Sequence, residues 1–199
     1  MMNRPDFKLI HDWVPEGAHI LDLACGDGSL LAALARDKNV TGYGLEIDPD
    51  GITACIARGV NVIEQNLDDG LANFDDGACD LVVMTQALQA LRRPDRALDE
   101  MLRVAGEAII TFPNFAYWRH RVHLGIRGYM PVSKSLPHAW YDTPNIHLST
   151  FNDFEQLCRD KGLIIVDRAV GIGDHEGHWT SRWWPNLFGE IAIFRVTRG

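Results

Sequence analysis

The chain has 199 residues, 46% hydrophobic and 23% charged, which is enough for one globular domain with a substantial buried core and cramped for two. A net charge of −8 argues against the broad basic field of a nucleic-acid binder, and no apolar run approaches the ~20 residues that span a bilayer. Cys25, Cys55, Cys79 and Cys158 form no C-x-x-C pair, and MMNRPDFKLIHDW lacks the apolar core of a secretion signal, so a reduced cytoplasmic protein is expected, without disulfide framework, metal site, nucleic acid or membrane.

Strand and helix signals then alternate. The first strand is expected at 19–24, followed by the helix SLLAALARDK (29–38) with Leu30, Leu31 and Leu34 on one face. VTGYGLEI (40–47) is the second strand; Asp48 and Pro49 then have the N-cap and first-turn pattern of a helix that Gly59 closes. The third strand is VNVIE from Val60 and the fourth CDLVVMT (79–85), near-continuous apolar runs of the kind a sheet covered on both faces needs. A helix over 95–105, stopped by Gly106, leads into the fifth strand, EAIITF. Residues 114–148 read as a long irregular insertion rich in aromatic and basic side chains. A capping box at Thr150 and Asp153 opens the next helix, Gly162 ends it, and the strands LIIVDRAV and EIAIFRVT close the chain around a loop rich in Gly, His and Trp. The pattern is α/β, a doubly wound three-layer sheet in a single domain.

LDLACGDG, residues 21–28, is a strand that stops at Gly-Asp-Gly and enters a helix. Such a turn brings backbone N–H groups and a helix N-terminus to a ligand with no Cβ in the way. A lone Gly-x-Gly also fits a tight turn that binds nothing, but Glu46 ends the next strand 20 residues after Gly26, where a carboxylate can accept from both ribose hydroxyls. Two cofactor classes use this geometry. A dinucleotide fingerprint wants a third Gly or Ala where this chain has Leu31, and Asp22 would repel a pyrophosphate while receiving an amino-acid ammonium. S-adenosylmethionine fits better than NAD, which sets a dinucleotide oxidoreductase far behind.

Asp22 to Gly28 together with Glu46 resembles the first two motifs of the class I S-adenosylmethionine-dependent methyltransferases. The resemblance implies a Rossmann-like, mostly parallel seven-stranded sheet with an antiparallel last strand. It also implies that Ala24, Cys25, Gly26 and Gly28 lie against the cofactor, that Asp22 lies near its amino-acid end, that Glu46 holds the ribose, and that Ile47 and Leu67 sandwich the adenine. Ala24 replaces the usual first glycine, and Asn66 stands where an aspartate often receives the adenine amino group. After the fourth strand, TQALQAL (85–91) offers no general base. The second half, from PNFAYWRHRVHLGIRGYM through TFNDFEQLC to WWPNLF, resembles the MetW family of methionine biosynthesis, and this likeness extends over nearly the whole chain. It implies association with homoserine O-acyltransferase.

The insertion carries a formal charge of +3 and interleaves arginines with aromatics. Tyr117, Trp118, Arg119, Arg121, Trp140, Tyr141, Asn145 and His147 are the candidate substrate or partner contacts, for an acyltransferase or for a homodimer. The histidine pairs 120/123 and 175/178 lack metal-ligand spacing, and Trp179, Trp183 and Trp184 most simply cover the terminal hairpin. The function expected is an S-adenosylmethionine-binding protein (S-adenosylhomocysteine as product or bound ligand) that regulates the acyltransferase. The alternative is an active methyltransferase on a small-molecule acceptor.

Overall fold

The computed structural model describes residues 5–172, 175–176 and 183–199. Its strands are β1 (His19–Leu23), β2 (Thr41–Glu46), β3 (Val62–Glu64), β4 (Cys79–Thr85), β5 (Ala105–Pro113), β6 (Leu163–Ile172), the two-residue β7 (His175–Glu176) and β8 (Ile191–Arg198). The helices are α1 (Pro5–Trp13), α2 (Ser29–Lys38), α3 (Pro49–Ala57), α4 (Pro94–Val104), α5 (Trp118–Arg127), α6 (Phe151–Asp160) and the single turn α7 (Pro185–Phe188). One sheet runs in the strand order 3-2-1-4-5-8-6-7. β1 to β5 pair in parallel, and β8 lies antiparallel between β5 and β6. These seven are the expected Rossmann-like sheet; β7 pairs with Gly171 and Ile172 as an eighth strand at the edge.

Strand parity sorts the core into two layers. Ile20, Leu81, Val83 and Ile109 face Phe7, Ile10 and Val14 of α1 and Leu30, Leu31 and Leu34 of α2. Leu21, Leu23, Val82, Met84, Ile110 and Phe112 face α4 and α6. On that second side Phe112, Phe151, Phe154 and Phe194 form an aromatic cluster with ring centroids 4.5 to 6.1 Å apart. Asp22, Thr85 and Thr111 continue the parity of the first layer, so three polar side chains reach the α1 side at the carboxyl ends of β1, β4 and β5. This is where open α/β sheets place ligands.

Several expectations need correction. α1 was not anticipated. The helix before β5 begins at Pro94 and ends at Val104; Ala105 is already extended and paired with Cys79, so Gly106 sits inside the strand. Residues 118–127 of the supposed irregular insertion form α5, closed by Gly128 at φ +69°. Val122, Leu124 and Ile126 follow each other at every second position, a strand-like spacing that hides a helix. Trp183 and Trp184 do not cover the hairpin: they are 77% and 67% exposed, and Trp184 stacks on Phe188 instead. His178 and Trp179 lie outside the described residues. No described helix is long and apolar enough to cross a membrane.

Candidate functional site

The turn after β1 holds left-handed backbone at alternate residues: Ala24 (φ 54°), Gly26 (φ 57°) and Gly28 (φ 70°). A side chain at Gly26 would meet nothing within 4 Å, so this glycine faces open space, and its N–H donates to Glu46 Oε2 at 2.7 Å. Glu46 Oε1 accepts from the N–H groups of Ile47 (2.8 Å) and Asp48 (2.9 Å). One carboxylate therefore ties the glycine turn to the end of β2, and its remaining acceptor capacity, on Oε2, is open to a ligand. Gly51, in α3, sits beneath this junction; a Cβ there would lie 3.0 Å from Gly26 O and 3.1 Å from Glu46 Cγ.

Two clefts meet at this point. The first, about 330 Å³, is lined by Phe7, Asp22, Ala24, Cys25, Gly26, Asp27, Ser29, Leu30 and Thr85. The second, about 210 Å³, includes Ala24, Glu46, Ile47, Asn66, Leu67, Ala87, Ala90 and Leu91 in its walls. Ala24 belongs to both, so they form one bent trough with a buried aspartate at one end and an apolar slot at the other.

Two candidate cofactor residues are partly committed to structural contacts. Asn66 Oδ1 accepts from Asp68 N at 3.1 Å and caps a short 3-10 turn, leaving one lone pair toward the slot. Gly28 is absent from both linings; a Cβ there would strike Cys55 Sγ at 2.8 Å, so it lets α2 and α3 approach. Cys25 Sγ lies 3.7 Å from Cys55 Sγ. Burial first, then Asp22, Cys55 and Glu46, push the Cys25 thiol far up, which favours its protonated form. Arg58 clamps the turn from outside, donating to Asp27 O at 2.8 Å and to Asp27 Oδ2 at 2.5 Å.

The sequence reading missed the groups that arrive from far along the chain. Asp6, fully buried, accepts from Thr111 Oγ1 at 3.3 Å and from Gln86 Nε2 at 3.5 Å. This sets a carboxylate at the ends of β4 and β5, where TQALQAL alone offered none. Its neighbour Phe7 walls the first cleft. The amphipathic start PDFKLIHDW was the signal that α1 packs there.

The candidate contacts in residues 114–148 divide into two sets. Trp118, Arg119, Arg121, Trp140 and Tyr141 are exposed, the last pair edge-to-face at 5.7 Å and both 75% accessible. Arg119 lies over the Trp118 ring at 5.5 Å, and Arg121 Nε donates to Ala116 O at 2.5 Å. Tyr117 is buried instead, packed edge-on against His120. Asn145 is half-buried, its Oδ1 accepting from Gln89 Nε2 at 3.1 Å, whereas His147 is exposed, with Nε2 3.4 Å from Arg92 O. His120 is buried beside Ser133 Oγ (3.1 Å), and that burial lowers its pKa and keeps it neutral. Among the described residues no group of three or more His, Cys, Asp or Glu side chains could hold a metal.

The base of this segment is pinned by Asn114. Its Nδ2 donates to the carbonyls of Asn186 (3.0 Å) and Gly189 (2.8 Å), and its Oδ1 accepts from Ala116 N (3.1 Å) and Phe151 N (3.2 Å).

Comparisons with known proteins agree with this geometry. The family described as Methionine biosynthesis protein MetW matches residues 4–196. The chain is 36% identical over 203 residues to the bifunctional methionine biosynthesis protein MetXA/MetW of Rhodopirellula baltica, covering 97% of this chain and 32% of that one. It thus spans about a third of that relative's length. Among solved structures, an S-adenosylmethionine-dependent methyltransferase from Mesorhizobium loti has a TM-score of 0.68 at 16% identity, over 98% of this chain and 96% of that one. One from Archaeoglobus fulgidus has a TM-score of 0.67 at 14% identity, over 97% and 91%. The cyclase SpnF has a TM-score of 0.66 at 18% identity, over 96% and 80%. At such identities these likenesses establish the fold alone, which hosts more than one chemistry.

Proposed function

The chain belongs to the MetW family of methionine biosynthesis proteins, and from that premise we propose that it binds S-adenosylmethionine in the bent trough and acts with a homoserine O-acyltransferase. The carrying observation is Glu46, whose carboxylate, in the wall of the second cleft, accepts from the N–H of Gly26, in the wall of the first, at 2.7 Å. Asp22 would receive the ammonium of the amino-acid tail, Gly26 would leave room for the chain, Glu46 would take the ribose hydroxyls, and Ile47 and Leu67 would enclose the adenine. S-adenosylhomocysteine offers the same groups without the sulfonium charge and would occupy the same trough. The partner reading is supported by the relative named MetXA/MetW, which joins two functions in one polypeptide. The exposed Trp118, Arg119, Arg121, Trp140 and Tyr141 supply aromatic and arginine anchors of the kind interfaces favour.

A second reading, methyl transfer to a small molecule, is favoured by Thr85, whose side chain lines the first cleft together with Asp22. Its hydroxyl would orient a polar acceptor, and catalysis would come mainly from holding acceptor and methyl at attack distance. The test is calorimetric titration of S-adenosylmethionine and S-adenosylhomocysteine, followed by co-elution with the acyltransferase. Saturable binding of either ligand together with a co-eluting complex supports the first reading. No heat with both ligands and separate elution overturns it. Turnover to S-adenosylhomocysteine with a metabolite extract would move the assignment to the second.

A further inference from the structure

The turn Leu88–Ala90, between β4 and α4, has two working sides. On one side Ala87, Ala90 and Leu91 line the apolar slot opposite Ile47 and Leu67. On the other side the Gln89 carbonyl accepts from both Ile146 N and His147 N at 3.0 Å, and Gln89 Nε2 donates to Asn145 Oδ1 at 3.1 Å. The same Nε2 donates to Gln86 O at 2.6 Å. Gln86 is one of three non-glycine residues with positive φ among the described residues, at 52°. Strained backbone of this kind persists where its surroundings hold it and is a natural place for two arrangements. Behind the turn, Leu88, Gln89, Pro94, His147, Ser149, Asp153, Phe154 and Leu157 leave a cleft of about 100 Å³, so the turn is not packed solid on its far side.

We propose that this turn couples occupancy of the slot to partner docking, with Gln89 the positioning residue between the two. The inference rests on the reading above and names the regulation of the same site. A ligand lying against Ala87, Ala90 and Leu91 orders the turn. Ordering at Gln89 is handed directly to Asn145, Ile146 and His147, which continue from the exposed Trp140 and Tyr141. Docking on a segment already ordered costs less conformational entropy, so the cofactor tightens the partner, and by linkage the partner tightens the cofactor by the same factor.

The experiment reads amide hydrogen exchange at Ile146 and His147, whose N–H groups end on Gln89. In the full chain saturated with S-adenosylhomocysteine, both amides are expected to slow at least tenfold, and the acyltransferase dissociation constant to fall at least fivefold. Gln89→Ala, and separately Asn145→Ala, should reduce the protection to under threefold while the ligand's own Kd stays within threefold. The second variant leaves the slot's wall whole, so a folding defect in the first does not end the test. Ligand binding without protection at 146 and 147 overturns the coupling while leaving the cofactor reading intact. Undiminished protection in both variants overturns it as well. Absence of ligand binding altogether counts against the cofactor reading itself.

Discussion

Glu46 has one role expected from sequence and a second that the fold shows. Its position at the end of β2, 20 residues after Gly26, is the ground for proposing it as the ribose acceptor. Its three backbone donors became visible only once the turn and the start of α3 converged on it. Glu46→Gln replaces one acceptor oxygen with an amide nitrogen, which cannot accept from these N–H groups. Calorimetry should show S-adenosylhomocysteine binding weakened by ~1.5 to 3 kcal/mol, about one to two decades in Kd. Unchanged affinity would place the ribose elsewhere. His120 gives a pH test. Its burial lowers its pKa below the ordinary 6.5, so the unfolded chain takes up the proton first. Its contribution to stability is complete above about pH 6.5 and is lost as pH falls below that value. Urea melts at pH 7.5 and 5.5 should therefore show a larger loss for the wild type than for His120→Gln. Equal losses would contradict the assignment. Asp6 and Gln89 were not legible, because they act on groups 105 and 56 positions away that only the folded chain brings near.

At the scale of elements, strands and capped helices were the readable part. Near-continuous apolar runs fix β1, β4 and β5, and the Thr150–Asp153 box appears as expected at the start of α6. α5 was hidden by its composition: only His120 of its ten residues is buried, so no apolar stripe marks a face. Gly42 in β2 shows what strand pairing demands. Gly42 has φ +141°, and a Cβ there would lie 1.8 Å from the carbonyl of Ile20 on β1. Gly42→Ala should cost about 3 kcal/mol or more, through clash and forbidden backbone together, measured by urea unfolding. A cost below ~1 kcal/mol would mean that β1 and β2 can separate locally without penalty.

For the whole molecule, charge and aromatic exposure are distributed unevenly. A chain of net −8 gathers a +3 charge into residues 114–148, and the same stretch exposes Ile126, Tyr129, Trp140 and Tyr141. A concentration of apolar and basic side chains on an otherwise acidic surface is what a docking face requires. This architecture serves a cyclase as well as methyltransferases. The trough and the segment proposed for docking meet at Leu88–Ala90.

The most direct measurement is the rate of acyl transfer from an acyl-CoA to homoserine, catalysed by the acyltransferase from the same organism. It is taken alone, with an equimolar amount of this protein, and with the protein saturated in S-adenosylmethionine. The rate is expected to change severalfold when the protein is added and to change again with the cofactor. A rate identical in all three conditions would contradict it.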